Sequence, residues 1–589
     1  MRRLSLLLTL AVLALGMASA DDVVRAQRGT PAPAGPGGGG AFGAPPRDNA
    51  PAATGTAIIR GRVLTADTGT PVRRAQVRAT SAEARAGRLA TTDAQGRFEL
   101  KDLPAGRWTL TASKAGFVTL QYGQRRPLEG GRAIELRDAE VLERTDISLP
   151  RGSAITGRVF DEFGEAIAGA RVQVLRYQLQ QGVRRLVPTG AADQTDDTGA
   201  FRIFGLAPGD YFVSATLRVG PGLGQGGDAN DGTAYAPTFF PGTGSVGEAQ
   251  RLTLSVSQEL GNINFALLPV RTVRVSGIAL NASGENLTGG AVTLISTGDG
   301  AGALGIGGAA GRVGRDGTFT LTNVTPGAYT LTAIANGGAP GGGRRGGGPF
   351  SGESEFASMP LVVGNDDLSG ITIVTTRGAT LAGKVVVAED ALGEFRANNL
   401  QVVAQGVRPD LPGPLNGIRN GRVGNDSSFT LNGLSGQRLL RLNGLPADWT
   451  LKAVMADSTD ITDSPLEFRG SEQVTGIQVV VTNRLTEVNG KVTSRGQPSR
   501  DYSVVVFPED ERKWTFPTRF VLSGRPDQQG LFKIRALPPG ERYLAVAVDY
   551  LENGEAADPQ FLAQMRGRAS SFTLGVGEAK ALDLTLVQR

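Results

Sequence analysis

The sequence predicts an all-β fold, a tandem array of about five β-sandwich domains strung into an elongated chain, and three observations carry that reading. Five phenylalanines, Phe98, Phe201, Phe319, Phe429 and Phe532, recur 103 to 118 residues apart, each followed five residues on by a branched aliphatic: Leu103, Leu206, Val324, Leu434 and Leu537. Around them apolar residues alternate with a period of two, the pattern of half-buried strands. The 589 residues include 84 Gly and 32 Pro, which favour turns over long helices, and they are too many for one hydrophobic core.

The first copy shows the order of elements. In "AIIRGRVL", Ile59, Gly61 and Val63 share one face and Arg60 and Arg62 the other; "AQVRA" continues with Ala75, Val77 and Ala79 inward. Asp93 to Gly96 makes a tight connection, the aspartate capping its own turn and the glycine taking the left-handed position. Phe98 and Leu100 then point inward, and a corner at "LPAG" is followed by Trp108, Leu110 and Ala112, again inward, before Ile147 and Leu149 close the unit. The same grammar returns in "TDDTGAFRIFGLAPGDYFVSA", "RDGTFTLTNVTPGAYTLTA" and "PDQQGLFKIRALPPGERYLAVAV". The fourth copy diverges: Ser428 stands for the turn glycine and "LSGQ" for the Pro-Gly corner, so a looser hairpin is expected.

These elements set the expected domains at 55–150, 151–270, 271–378, 379–484 (the divergent one) and 485–589. The joints, such as "LPRGSAI" and "TNRLTEV", leave few free residues. Five domains of this size in a line make a rod of roughly 150 to 200 Å.

The stretch "GRV…DEFGEAIAGARVQVL…TDDTGAFRIFGLAPGDYFVSA" closely resembles the carboxypeptidase regulatory-like domain. The resemblance covers the first two repeats well, the fifth fairly, and the third and fourth more weakly. It implies an Ig-like or prealbumin-like sandwich of seven strands, a carbohydrate-binding-like fold shared with bacterial surface repeats. It also implies no catalysis, because the zinc catalytic domain that precedes this module in metallocarboxypeptidases has no counterpart here.

Composition excludes further classes. With no His and no Cys there is no zinc finger, no cysteine nucleophile, no Ser-His-Asp triad and no disulfide. Carboxylate-pair hydrolysis and oxygen-ligand calcium sites survive that exclusion. The formal charge is only +5, and the arginines are interleaved with acids, so no basic stripe predicts a nucleic-acid partner. No cofactor is expected.

The N-terminus reads as a secretory signal over residues 1–20, with Arg2 and Arg3, an apolar run from Leu4 to about Met17 and an Ala18-Ser19-Ala20 cleavage pattern. Residues 21–54 form a Pro, Gly and Ala tether, expected to be disordered. No later segment is apolar for long enough to span a bilayer, so after cleavage no transmembrane segment is expected.

Few residues offer chemistry. Trp108 and Trp449 fall in phase with core positions, whereas Trp514 and Phe516 in "DERKWTFPTRF" interrupt the alternation and are the candidate exposed platform for a sugar ring. "GLGQGG" at 222–227 matches a dinucleotide-binding pattern without the helix or acidic partner that it needs, and the Gly-rich stretches 298–311 and 337–349 read as loops. Asp457, Asp460 and Asp463, and Asp228, Asn230 and Asp231, are the densest oxygen clusters but lack calcium-loop spacing, so no metal site is assigned. Lys384 and Lys491 lie on the outward face, which argues against the Lys–Asn staples formed by the surface repeats that the chain resembles. The resulting expectation is an exported bacterial protein without catalytic residues, periplasmic, outer-membrane-associated or extracellular. It would act as a spacer, adhesion or scaffold module toward other envelope proteins. The alternative is a polysaccharide-binding protein using a sandwich edge or face.

Overall fold

The computed structural model describes residues 54–81, 86–126, 128–180, 182–217, 233–297, 308–335, 355–396, 399–407 and 419–589. The expected signal peptide, all but the last residue of the tether, the 222–227 and 337–349 stretches, most of 298–311, and Asp228, Asn230 and Asp231 lie outside these residues.

Five buried apolar clusters follow one another along the chain, within 57–149, 155–267, 273–373, 379–481 and 488–584. The first four are enclosed by separate facing sheets, and in the fifth the strand Leu584–Val587 joins the two layers into one nine-stranded sheet, so the fold is a tandem all-β array. In the first sandwich, strand Ala57–Thr65 pairs antiparallel with Arg97–Leu103, and its other edge takes Val141–Leu142 and Ile147–Leu149 in parallel. The facing sheet runs Ala86–Thr91, Gln76–Ser81, Gly106–Ser113, then Leu120–Gln121, with Ile134–Leu136 also on Gly106–Ser113. The alternation read from sequence is the one that packs: Ile59, Val63, Ala75, Val77, Ala79, Phe98, Leu100, Trp108, Leu110 and Ala112 are all buried.

The register explains why a phenylalanine recurs. Phe98, Phe201, Phe319, Phe429 and Phe532 each lie directly across from a glycine of their sandwich's first strand: Gly61, Gly157, Gly277, Gly383 and Gly490. Those glycines are required by a third strand. A Cβ built on them would sit 1.9 to 2.4 Å from a backbone carbonyl oxygen of Thr145, Ile263, Ile371, Ile477 or Leu582, so only a residue without a side chain lets the closing segment approach. A benzyl ring opposite the glycine fills the space its missing side chain leaves, as close packing demands.

The corner after each hairpin is closed the same way. Trp108 Nε1 donates to Pro104 O (3.0 Å), and the hydroxyls of Tyr211, Tyr329 and Tyr543 donate to the carbonyls of Ala207, Thr325 and Pro538 (2.6 to 2.8 Å). Each acceptor directly follows the corner's aliphatic residue, so one buried aromatic both fills the core and satisfies a carbonyl. In the fourth sandwich the fully buried Arg438 takes this place, its Nε donating to Ser435 O at 2.8 Å.

The fourth hairpin needs one correction. Ser427, not Ser428, stands at the turn-glycine position, with φ +63°, and its carbonyl accepts from Val385 N as those of Gly96, Gly199 and Gly317 accept from Val63, Val159 and Ala279. Ser428 instead donates its hydroxyl to Asp426 at 2.7 Å. This bond holds Asp426 below its ordinary pKa, as bonds from Thr198 and Thr318 do for Asp196 and Asp316. The hairpin is therefore tied, not loosened.

The fifth sandwich carries the one α-helix among the described residues, Pro559–Arg566, capped by the Asp558 side chain. Phe561, Leu562 and Met565 pack on the outer face of a sheet with Val505, Phe507, Leu544, Val546 and Val548. Strand Ser503–Pro508 is thus buried on both faces along its whole length, matching its unbroken apolar run. The end-to-end reading has each sandwich meeting only its chain neighbours; here the fifth meets the fourth through Arg519 and Asp463 and also meets the first through Arg525 and Glu129.

Candidate functional site

The expected sugar platform is not on the surface. Trp514 is 2% exposed, donates Nε1 to Pro508 O at 2.7 Å and meets Phe507 edge to face at 5.7 Å beneath the helix. The irregular phase that made Trp514 look exposed comes from an insertion that packs on the back of the sheet, in a second core larger than the small extra cluster of Leu175, Leu186, Phe212 and Phe239 in the second sandwich. Phe516 beside it is half-buried. Trp108 and Trp449 are core residues, Trp449 against Phe395 at 4.7 Å.

The aspartate cluster is turned to the chain's own donors. Asp460 accepts from Thr462 N at 2.8 Å, and Asp463 accepts from Arg519 at 2.9 to 3.1 Å and from Arg441 at 3.4 Å. Among the described residues no group of three or more His, Cys, Asp or Glu side chains could hold a metal ion. Lys384 and Lys491 are exposed, and Lys491 faces Asp583 at 3.6 Å.

One concave feature among the described residues is an open groove of about 1310 Å³ on the first sandwich, where the edge of one sheet meets the edge of the other. Strand Ala57–Thr65 supplies Arg60 and Arg62, Arg97–Leu103 supplies Arg97 and Glu99, and the segment between the two parallel strands supplies Glu143 and Arg144. Arg60 bridges two carboxylates, Glu99 at 2.8 Å and Glu143 at 2.8 Å. Bonds from Lys101 and then Arg60 hold Glu99 below the ordinary carboxylate range, and the two carboxylates raise Arg60. Arg62 and Arg97 stand directly opposite each other across the strand pair, a like-charge juxtaposition that costs stability unless something shares it.

This surface can hydrogen-bond a hydroxylated or charged ligand along its rim; it presents no nucleophile and base in contact. Sequence reading placed Arg60 and Arg62 on the outward face but not in a groove. The acids that complete it arrive from about 80 residues away through a parallel pairing that no local pattern announces.

The fold defines a series of all-β sandwiches, and the first of them matches a known module. Residues 58–149 match the family model described as the carboxypeptidase regulatory-like domain. Among solved structures, the chain is similar to a Streptococcal ancillary pilin at 12% identity, covering 55% of this chain and 98% of that one with a TM-score of 0.20. It is also similar to GBS52, the minor pilin of Streptococcus agalactiae, at 16% identity, with 36% and 97% covered and a TM-score of 0.21. BcpA, the major pilin subunit of Bacillus cereus, is 11% identical over 56% of this chain and 100% of that one, with a TM-score of 0.14. Likeness at this level says nothing of what the present chain binds or builds. No curated protein matches the chain. Among the described residues no helix is long and apolar enough to cross a membrane.

Proposed function

We propose that the protein is an exported, non-catalytic scaffold of the bacterial envelope, which holds binding surfaces at set spacings for other envelope proteins. The observation that carries this reading is the array itself: five closed cores in series, with a charged clamp fixing one sandwich to the next where Arg519 grips Asp463 at 2.9 Å. The N-terminal run from Arg2 to Ala20 supports export. A second reading, polysaccharide binding at a sandwich edge, is supported by the groove of the first sandwich, with Arg62 and Arg97 in place of the buried Trp514 as its contact residues.

One experiment separates the two. The full chain is passed over immobilised neutral and acidic polysaccharides and, in parallel, cross-linked in an envelope fraction. The scaffold reading expects a discrete cross-linked protein partner and no glycan retention. Retention on a polysaccharide that the R62A/R97A double variant loses would replace it with the second reading.

A further inference from the structure

The contacts between the fifth sandwich and the first two have a chemistry unlike that of any sandwich interior. Arg525, with its side chain 8% exposed, donates to Gly130 O at 2.6 Å, lies 2.9 Å from Glu129 Oε1, and reaches Asp501 Oδ1 at 2.9 Å. Glu129, 4% exposed, belongs to the first sandwich, and its carboxylate also accepts from the backbone N–H groups of Arg125 and Arg126. Around this pair, Arg132 donates to Arg500 O at 2.5 Å, Gln528 Nε2 to Glu135 O at 2.9 Å, and Asn553 N to Leu128 O at 2.8 Å, beside an isolated antiparallel bridge between Glu129 and Glu552.

The second sandwich meets the same segment through two glycines. A Cβ on Gly182, at the tip of the hairpin between Arg171–Gln180 and Val183–Gln194, would lie 2.4 Å from Ala557 O. A Cβ on Gly554 would lie 2.1 Å from Leu179 O. Backbone therefore touches backbone in both directions. No apolar cluster joins residues of the fifth sandwich to those of the first or second, Leu551 and Ala556 packing only within the fifth, so the five cores are complete without this contact.

A polar contact between domains that each hold their own core is the kind that opens without unfolding. The buried pair also makes it poised, because removing two charges from water cancels much of their attraction. We infer that the fifth sandwich is a releasable latch, which docks through Arg525 and residues 549–558 onto a surface shared by the first and second sandwiches and gives the scaffold two spacings between its first and last domains.

The chain has no cysteine of its own, so the full-length protein with R137C and Q497C takes two spin labels, one on the first sandwich and one on the fifth. Double electron–electron resonance then reads the distance between them. The parent is expected to give one narrow distance at low salt and to gain a second, longer component in molar salt. R525E, which buries Glu129 against a like charge, raises the open fraction roughly tenfold or more, whereas R525K, which keeps a cation beside Glu129 and Asp501, opens it far less. G182A opens the latch, whereas G164A, at another left-handed turn (φ +84°) with nothing within 4 Å, leaves it closed. Thermal unfolding of the single variants keeps the parent's transitions. A parent distribution that stays single at every salt concentration, an R525K that opens as far as R525E, or G182A indistinguishable from G164A would each overturn the inference.

Discussion

Placing one methyl group on the first strand of the second sandwich tests the packing rule on which all five sandwiches rest. In Gly157→Ala the new Cβ would sit 1.9 Å from Ile263 O, so the closing segment has to retreat by about 1.5 Å to reach ordinary contact. That movement breaks the bonds from Ile263 N to Thr156 O (3.1 Å) and from Leu267 N to Phe160 O (2.8 Å). It also uncovers part of Ile263 and Phe265, which are 5% and 4% exposed. Two hydrogen bonds at about 1 kcal/mol each, and partial exposure of two large side chains at about 1 kcal/mol each, make a loss of about 4 kcal/mol. For a domain of this size that lowers the melting temperature by about 15 to 30 °C. Differential scanning calorimetry of the full chain should show one of the component transitions displaced by that amount and the others in place. Gly164→Ala supplies the comparison, since its strain is confined to the turn and costs about 1 kcal/mol. If the two variants unfold alike, the reasoning that ties Gly157 to the closing strand is wrong.

Three further outcomes are expected. Trp514→Ala should leave any glycan interaction untouched and destabilise the fifth sandwich by roughly 3 to 5 kcal/mol, read as a lower melting transition, while parent Trp514 fluorescence resists quenching by acrylamide. Tyr211→Phe strands the Ala207 carbonyl and should cost the second sandwich about 1 to 2 kcal/mol in urea unfolding, with the slope of the transition unchanged. Asp196, Asp316 and Asp426 have folded pKa values below their unfolded ones, so the stability they contribute is complete above the unfolded value and is lost as the pH falls through the folded value. Melting temperatures should therefore hold from neutrality to about pH 4 and fall below it, with a shallower fall in D196N.

The strand order was legible because its signals are local. Alternation marks which side chains turn inward, and the Asp-to-Gly turns and aliphatic corners lie within 20 residues of the phenylalanine they serve. Even the pairing of glycine with phenylalanine was present as "GRV" or "GKV" about 40 residues before four of the five rings, with "GIA" before the third, although its cause, a third strand crossing the glycine, is visible only in three dimensions. Trp514 misled because an insertion broke the period, and a broken period reads alike whether the side chain meets water or a second core. The unbroken "SVVVF" and "YLAVAV" runs held the missing information, since a strand with apolar residues on both faces needs a cover on both. The groove and the contact of Arg525 with Glu129 join residues 80 to about 400 positions apart through parallel pairing and domain docking, which leave no periodic trace.

The helix Pro559–Arg566 has a consequence for how the fifth sandwich meets other molecules. A sheet with large apolar side chains on its outer face invites association unless that face is covered. Without its cover, the sheet bearing Val505, Phe507, Leu544 and Val546 would offer a sticky wall to any neighbouring molecule; roofed by Phe561, Leu562 and Met565, it offers none. The helix thus works as a seal, and a fifth sandwich stripped of it would pass from a self-contained module to one that sticks to its surroundings.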